Sequence, residues 1–251
     1  MIYLRFEING EEKYGISENR QTVVEIKPDY FSDFKKTKTI YDISNVKLLA
    51  PCKPSKIIAL GLSYEDHAKE LNMPISKFPV IFMKPSTSVI GTNENIVYPS
   101  LSKRVDFEGE LAVAIKKKAK NISETDASSF ILGFTCFNDV TARDLQEKDG
   151  QWTRAKSFDT FSPVGPWIVD KIDPDNLKIK TLVNGQLKQN SNTKNLIISI
   201  KKIVSYVSSV MTLLPGDIIT TGTPPGIGPL SRGDKVSIEI ENIGNLTNTV
   251  I

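Results

Sequence analysis

The sequence predicts a β-rich α+β fold with a small β-containing piece at its N-terminus. Three observations predict it. Most apolar segments are short and either alternate with polar residues or are brief continuous runs containing Ile and Val, as strands are. The clearest helical period is confined to residues 199–211. Gly, Pro and Asn separate the segments, and Asn184-Gly185 is a strong two-residue hairpin signal.

Taken in order, residues 2–8 alternate and read as a strand, and Thr22-Val23-Val24-Glu25-Ile26 reads as another. A polar stretch follows, then Val46-Lys47-Leu48-Leu49. Pro51 and Pro54 punctuate the junction, giving a small N-terminal β domain over 1–50 and a main domain over 51–251. Lys56 to Gly61 is a buried-strand pattern, and Ser63 with Asp66 resembles a capping box opening a short helix. On that helix His67 and Glu70 lie three residues apart and share a face. His67 is the single histidine; it reads either as a surface residue or as a base oriented by a carboxylate. The segment 64–78 contains Pro74 and no clear period, and is a candidate lid.

Val80 to Lys84 is a strand, with Lys84 held extended by Pro85. The run 105–115 is read as one strand whose first half places Asp106, Glu108 and Glu110 at alternate positions, hence on one face. Such carboxylates either end a strand in solvent or hold a hard divalent ion. Ser123 opens a helix through Ile131, and Gly133 to Asn138 is a strand. A helix starts near Thr141, with Thr141 or Asp139 as its cap. Gln151 to Asp159 is an ordered loop ended by Pro163, Gly165 and Pro166, before a strand at Trp167-Ile168-Val169. In the helix 199–211, Ile200, Ile203, Val207, Val210 and Met211 form the apolar face. Leu214 to Thr220 is a turn and strand, the Gly/Pro loop 222–229 presents backbone N–H groups suited to an anion, and 234–241 is the closing strand.

Composition narrows the function. The chain has 251 residues, and 32 Lys+Arg against 29 Asp+Glu give a net charge of +3, too balanced to indicate nucleic acid or an anionic membrane. Lys116-Lys117-Lys118 with Lys120 reads as a solvated turn. No apolar run reaches the roughly 18 residues of a membrane helix, and Arg5 and Glu7 interrupt the first one, so a signal peptide is not expected. Cys52 and Cys136 lack metal-ligand spacing. A soluble, cytoplasmic protein is expected. There is no G-x-S-x-G motif for a serine nucleophile.

Seven segments together resemble the fumarylacetoacetate hydrolase family over residues 51–251. They are Gly61-Leu62-Ser63-Tyr64 with His67 and Glu70; Phe82-Met83-Lys84-Pro85; Asp106 to Leu111; Asn138 to Asp144; Lys156 to Asp159; Asn184-Gly185; and Leu214 to Asp217 with Gly222-Thr223-Pro224. The resemblance implies a mixed sandwich or roll, a homodimer, and Mg²⁺ or Mn²⁺ on Glu108, Glu110 and Asp139. It implies catalytic roles for His67, Glu70 and Lys156, and substrate contacts for Gln146 and Thr223. Ser63 stands where members often have Asn, which leaves the contact there open. The implied substrate is a small 2-oxo or 2-enol carboxylate. The His67/Glu70 pair points towards C–C hydrolysis of an acylpyruvate. Isomerisation of a 2-hydroxyhepta-2,4-diene-1,7-dioate, or decarboxylation or tautomerisation of a 2-oxo acid, needs the same enolate. A non-catalytic metal-binding module is the alternative of another class.

Overall fold

A computed structural model describes residues 1–61, 63–65 and 80–251. The N-terminal piece supplies β1 (Ile2–Ile8), β2 (Glu11–Ser17), β3 (Thr22–Lys27), β4 (Lys35–Asp42) and β5 (Lys47–Leu49). Then come β6 (Ile57–Gly61), β7 (Val80–Lys84), β8 (Val89–Ile90), β9 (Asn95–Ile96), β10 (Val105–Phe107), β11 (Gly109–Ile115), β12 (Ile131–Asn138) and β13 (Thr141–Ala142). Two short helices, α1 (Arg143–Asp149) and α2 (Thr153–Lys156), lead into β14 (Ser162–Val169) and the hairpin β15 (Lys178–Val183) and β16 (Gln186–Asn192). The chain ends with α3 (Ile200–Val210), β17 (Ile218–Thr220), β18 (Gly228–Leu230), β19 (Lys235–Ile240) and β20 (Gly244–Val250).

The strands form three sheets. The largest runs β4-β3-β2-β1-β14-β12-β11-β17-β6-β7, so the N-terminal strands continue the main sheet through the β1–β14 pairing. A second runs β16-β15-β19-β20-β9, and a three-stranded one runs β13-β10-β18. β11 is buried on both faces because it lies between two cores. Leu111, Val113 and Ile115 enter one, and Ala112 and Ala114 enter the other. This β-rich α+β arrangement is the expected class. Among the described residues no helix is long and apolar enough to cross a membrane.

Several elements follow the sequence closely. Asn184 and Gly185 turn the β15–β16 hairpin with φ of 52° and 76°, the left-handed pair that a type I′ turn needs. Ser199 caps α3, accepting from the Lys202 N–H at 3.3 Å. The buried face of α3 carries Ile200, Ile203, Val204 and Val207, whereas Val210, expected on that face, is exposed.

Other expectations need correction. Residues 123–131 form no α-helix. Ser123 Oγ instead accepts from the Asp126 N–H (3.1 Å) and donates to its carboxylate (2.6 Å), a local alternative to helical bonding. A short 3₁₀ turn at Ala127–Phe130 then delivers Ile131 to its partner Ile115. The loop 151–159 contains α2. β14 begins at Ser162 and runs through both prolines: Pro163 lies beyond the last β12 pairing at Val164, beside the parallel strand β8, and Pro166 falls where the β12–β14 register shifts between Phe134 and Cys136. The strand 234–241 does not close the fold, since β20 follows it. Most of the helix proposed from Ser63 onwards, and most of the candidate lid, lie outside the described residues.

Candidate active site

The run 105–115 is two strands in two sheets, and the break between them makes the site. β10 pairs with β13 and β18, β11 pairs with β12 and β17, and Glu108 sits at the junction. The Glu108 N–H donates to Asn138 Oδ1 (3.0 Å), and the Glu108 carbonyl accepts from the Asp139 N–H (2.8 Å). The end of β12 is thereby stitched to this junction. Gly109 donates its N–H to Gln189 Oε1 (3.0 Å), and a side chain there would collide with Thr181 Oγ1. A glycine between the two glutamates is therefore a requirement of close packing. The outcome is a cluster of Glu108, Glu110 and Asp139, all buried, each offering a carboxylate oxygen within 4.8 Å of the others.

Asp106 does not share that cluster, contrary to the single-strand reading. It is fully buried among cations. Arg104 Nε and Nη2 donate to its two oxygens (2.9 and 3.1 Å), and Arg143 Nε donates to Oδ2 (2.9 Å). Arg143 continues inwards, donating to Glu108 Oε1 and to Gln146 Oε1 (2.5 Å). Asp139 and Thr141 do not cap α1, whose N-cap position is Ala142 without a side-chain bond. Thr141 Oγ1 instead contacts Glu108 Oε1 (3.2 Å) and the Asp139 carbonyl (2.9 Å).

Two buried lysines complete the cluster. Lys156 Nζ bridges Glu108 Oε2 (2.9 Å) and Asp139 Oδ2 (2.7 Å), and Lys84 Nζ donates to Asp139 Oδ1. Burial alone disfavours both charges, but they end differently. On Lys156 the nearby Asp139 and Glu108 outweigh burial and raise it above the ordinary lysine range, whereas on Lys84 burial wins and lowers it. Burial likewise pushes the Glu108 carboxyl up, yet Lys156 and Arg143 prevail and hold it at about 2. Glu110 is the exception: burial, then Asp139 and Glu108, push it well above its ordinary value. It accepts from the Gly222 N–H (2.8 Å), and among the described residues it forms no ion pair. Three converging hard oxygen donors, one of them short of a counter-charge, fit a divalent cation such as Mg²⁺ or Mn²⁺.

The cluster borders a cavity of about 460 Å³. Glu108, Asp139 and Lys156 line it, as do the expected substrate contacts Gln146 and Thr223. Thr223 is fixed by donating to the Gly109 carbonyl (3.0 Å) and accepting from Gln189 Nε2 (2.8 Å). One wall is aromatic: Trp152 packs edge-on against Phe82 with ring centroids 5.0 Å apart. His67 and Glu70 lie outside the described residues. Sequence reasoning assigned no site role to Lys84, Arg143, Arg104 or Trp152. The signals were a lysine closing an apolar run, two arginines flanking acids, and a tryptophan in an aperiodic loop. Cys52 and Cys136 are both buried, free and not part of the cavity lining, with thiols pushed up by burial, so neither suits a nucleophile.

Ser63 has a defined place. Its Oγ donates to the Thr221 carbonyl, beside Gly222, whose N–H serves Glu110. Gly222 has φ +83°, and an added Cβ would collide with Ser63 Oγ and lie 2.9 Å from the Leu60 carbonyl. Gly222→Ala should therefore cost about 1–3 kcal/mol of stability and weaken metal binding. Denaturant unfolding and calorimetry would check this. Adding Ser63→Ala should recover part of the loss, and full stability in the single variant would refute the packing argument.

Residues 56–251 match the family model described as fumarylacetoacetate (FAA) hydrolase C-terminal, and residues 1–51 match an Rv2993c-like N-terminal model. The mitochondrial oxaloacetate tautomerase Fahd2a of Rattus norvegicus is 46% identical over 220 residues, covering 83% of this chain and 70% of the relative. The crystal structure of 2-hydroxyhepta-2,4-diene-1,7-dioate isomerase from Mycobacterium marinum has a TM-score of 0.93 at 44% identity, covering 100% of this chain and 98% of the other. Maleylpyruvate hydrolase from Sphingobium sp. SYK-6, in complex with manganese(II) and pyruvate, has a TM-score of 0.83 at 28% identity, covering 100% and 99%. With a family model covering residues 56–251, which include every residue that lines the cavity, and relatives matched over most of their own length, the chain belongs to the fumarylacetoacetate hydrolase family.

Proposed function

We propose that the chain catalyses proton transfer through an enolate on a small 2-oxo or 2-enol carboxylate, by keto–enol tautomerisation or double-bond isomerisation. The observation that carries this reading is Lys156. Its buried ammonium bridges two members of a carboxylate triad on the wall of a cavity. A Mg²⁺ or Mn²⁺ ion held by Glu108, Glu110 and Asp139 would supply Lewis-acid polarisation of the substrate oxygens. Lys156 then acts as a fixed positive charge beside the oxyanion that develops, preorganised because its partners hold it in place. Arg143 is braced by Asp106, Glu108 and Gln146, and together with Thr223 it orients the carboxylate end of the substrate. Phe82 and Trp152 exclude water from one side. His67 paired with Glu70 is the proposed proton carrier.

Support for ranking tautomerisation and isomerisation first comes from the relatives, since the tautomerase and isomerase are 46% and 44% identical and the hydrolase 28%. C–C hydrolysis of an acylpyruvate is the second reading. It is favoured by the manganese and pyruvate in the hydrolase neighbour and by the acid–base character of a His/Glu pair. The test is an ultraviolet assay of enol loss on oxaloacetate and on an acylpyruvate, with pyruvate and carbon dioxide measured separately, with Mg²⁺ or Mn²⁺ and with EDTA. Enol loss without pyruvate, abolished by EDTA, is expected. Stoichiometric pyruvate from the acylpyruvate would move the assignment to hydrolysis. Pyruvate with carbon dioxide from oxaloacetate would move it to decarboxylation. Turnover undiminished by chelation would refute the metal-dependent site.

A further inference from the structure

Arg104 lines the cavity and precedes β10, and its side chain is 51% exposed. One edge of its guanidinium is committed, since Nε and Nη2 both donate to Asp106. Asp106 is itself fully buried and gripped by Arg143 as well, so one carboxylate is shared between two guanidinium groups. Arg104 is thereby fixed in position without being neutralised. Its Nη1 has no hydrogen-bond partner among the described residues. A held, half-exposed guanidinium with a free edge suits recognition of a carboxylate, which it can bind through parallel N–H donors.

We infer that Arg104 is a specificity-determining residue that selects dicarboxylic 2-oxo acids, binding the distal carboxylate of a substrate whose 2-oxo carboxylate end lies at the acidic triad. This rests on the proposed reading of the site. The charge balance points the same way. The buried acids Asp106, Glu108, Glu110 and Asp139 face Lys84, Lys156, Arg143 and Arg104, four negative charges against four positive. A divalent cation leaves these described groups with a surplus of positive charge, which favours the more highly charged anion. The aromatic wall of Phe82 and Trp152 suits the short carbon chain between the two ends. Glu147 also lines the cavity but is exposed, where water screens it. It opposes an anion at the rim only weakly.

The experiment compares pairs of ligands that differ only in the terminal carboxylate. These are oxaloacetate against 2-oxobutyrate, 2-oxoglutarate against 2-oxopentanoate, and 2-oxoadipate against 2-oxohexanoate. Each is titrated calorimetrically into the Mg²⁺-loaded full-length protein, wild type, Arg104→Met, Arg104→Lys and Glu147→Gln. In at least one pair the wild type should bind the diacid about tenfold or more tightly. Arg104→Met should erase that preference while leaving the monoacid unchanged, Arg104→Lys should keep part of it, and Glu147→Gln should increase it. A wild type that binds both members of every pair equally would overturn the inference while leaving the proposed reading intact. So would an Arg104→Met variant that weakens both classes alike, as a purely structural role for the Arg104–Asp106 pair requires. Absence of binding by any 2-oxo acid would overturn both.

Discussion

Replacing Lys156 by Met should lower kcat for enol loss by at least about a hundredfold, the usual scale for removing one preorganised oxyanion donor. Met preserves length and much of the volume, so the change is chiefly one of charge. The variant also loses stability, because Glu108 and Asp139 forfeit their shared cation in a buried site. That loss should not exceed about 3 kcal/mol, since Glu108 keeps Arg143 and Asp139 keeps Lys84. The two effects separate with metal. Saturating Mg²⁺ should restore much of the unfolding midpoint, because the ion replaces the missing positive charge, while kcat stays low. A variant within threefold of wild-type kcat at saturating Mg²⁺ would show that Lys156 is only a structural counter-ion.

That distinction shows what the sequence makes legible. The acids were readable because E-x-E and Asn-Asp occupy strand ends, where a side chain either meets solvent or does chemistry. Alternation along one continuous strand puts Asp106 on the face of Glu108 and Glu110, and only those two glutamates meet, while Asp106 lies among arginines. The actual cause is a break at Glu108, imposed by the packing of Gly109 against Thr181 and Gln189, residues some seventy positions away or more. The cations were hidden for the same reason. Lys84 looks like the polar end of an apolar strand, and only the arrival of Asp139 makes it a buried partner. Arg143 sits where a helix begins, and nothing local says that it turns back to Asp106 and Glu108.

Missed strands have local explanations. β4, at the end of the sheet, carries Lys-Lys-Thr-Lys, the charged composition of an edge strand, and β2 opens on an exposed Glu-Glu, so the hydrophobic period is weak in both. In β20 the buried positions are Leu246, Asn248 and Val250. The amide of Asn248 donates to the Gly91 and Glu94 carbonyls at 2.8 Å each, so a polar residue fills a core position and breaks the apparent alternation. Hydrophobic pattern alone reads such a strand as a loop.

Metal should stabilise this protein most at neutral to alkaline pH, and Glu110 gives the sign. In the metal-free fold its pKa lies well above the 4.5 of the unfolded chain. As pH rises through 4.5 the unfolded chain ionises at this position and the fold does not, so stability falls until the folded pKa is passed. Glu108 runs the other way. Held at about 2 in the fold against 4.5 unfolded, it contributes stability that is complete above 4.5 and lost as pH falls towards 2. A divalent cation favours ionised Glu110 and removes its penalty, and in binding it releases the Glu110 proton, so affinity climbs with pH. At a free ion concentration a hundredfold above Kd the gain is about 2.7 kcal/mol. For a chain of this length that corresponds to a rise of roughly 5–10 °C in Tm. The difference in Tm between Mg²⁺ and EDTA should therefore widen as pH rises above about 5, until the folded pKa of Glu110 is passed. Glu110→Gln should abolish the difference and flatten the metal-free decline over the same range. A difference that is constant with pH, or that survives in Glu110→Gln, would show that Glu110 does not bind the ion.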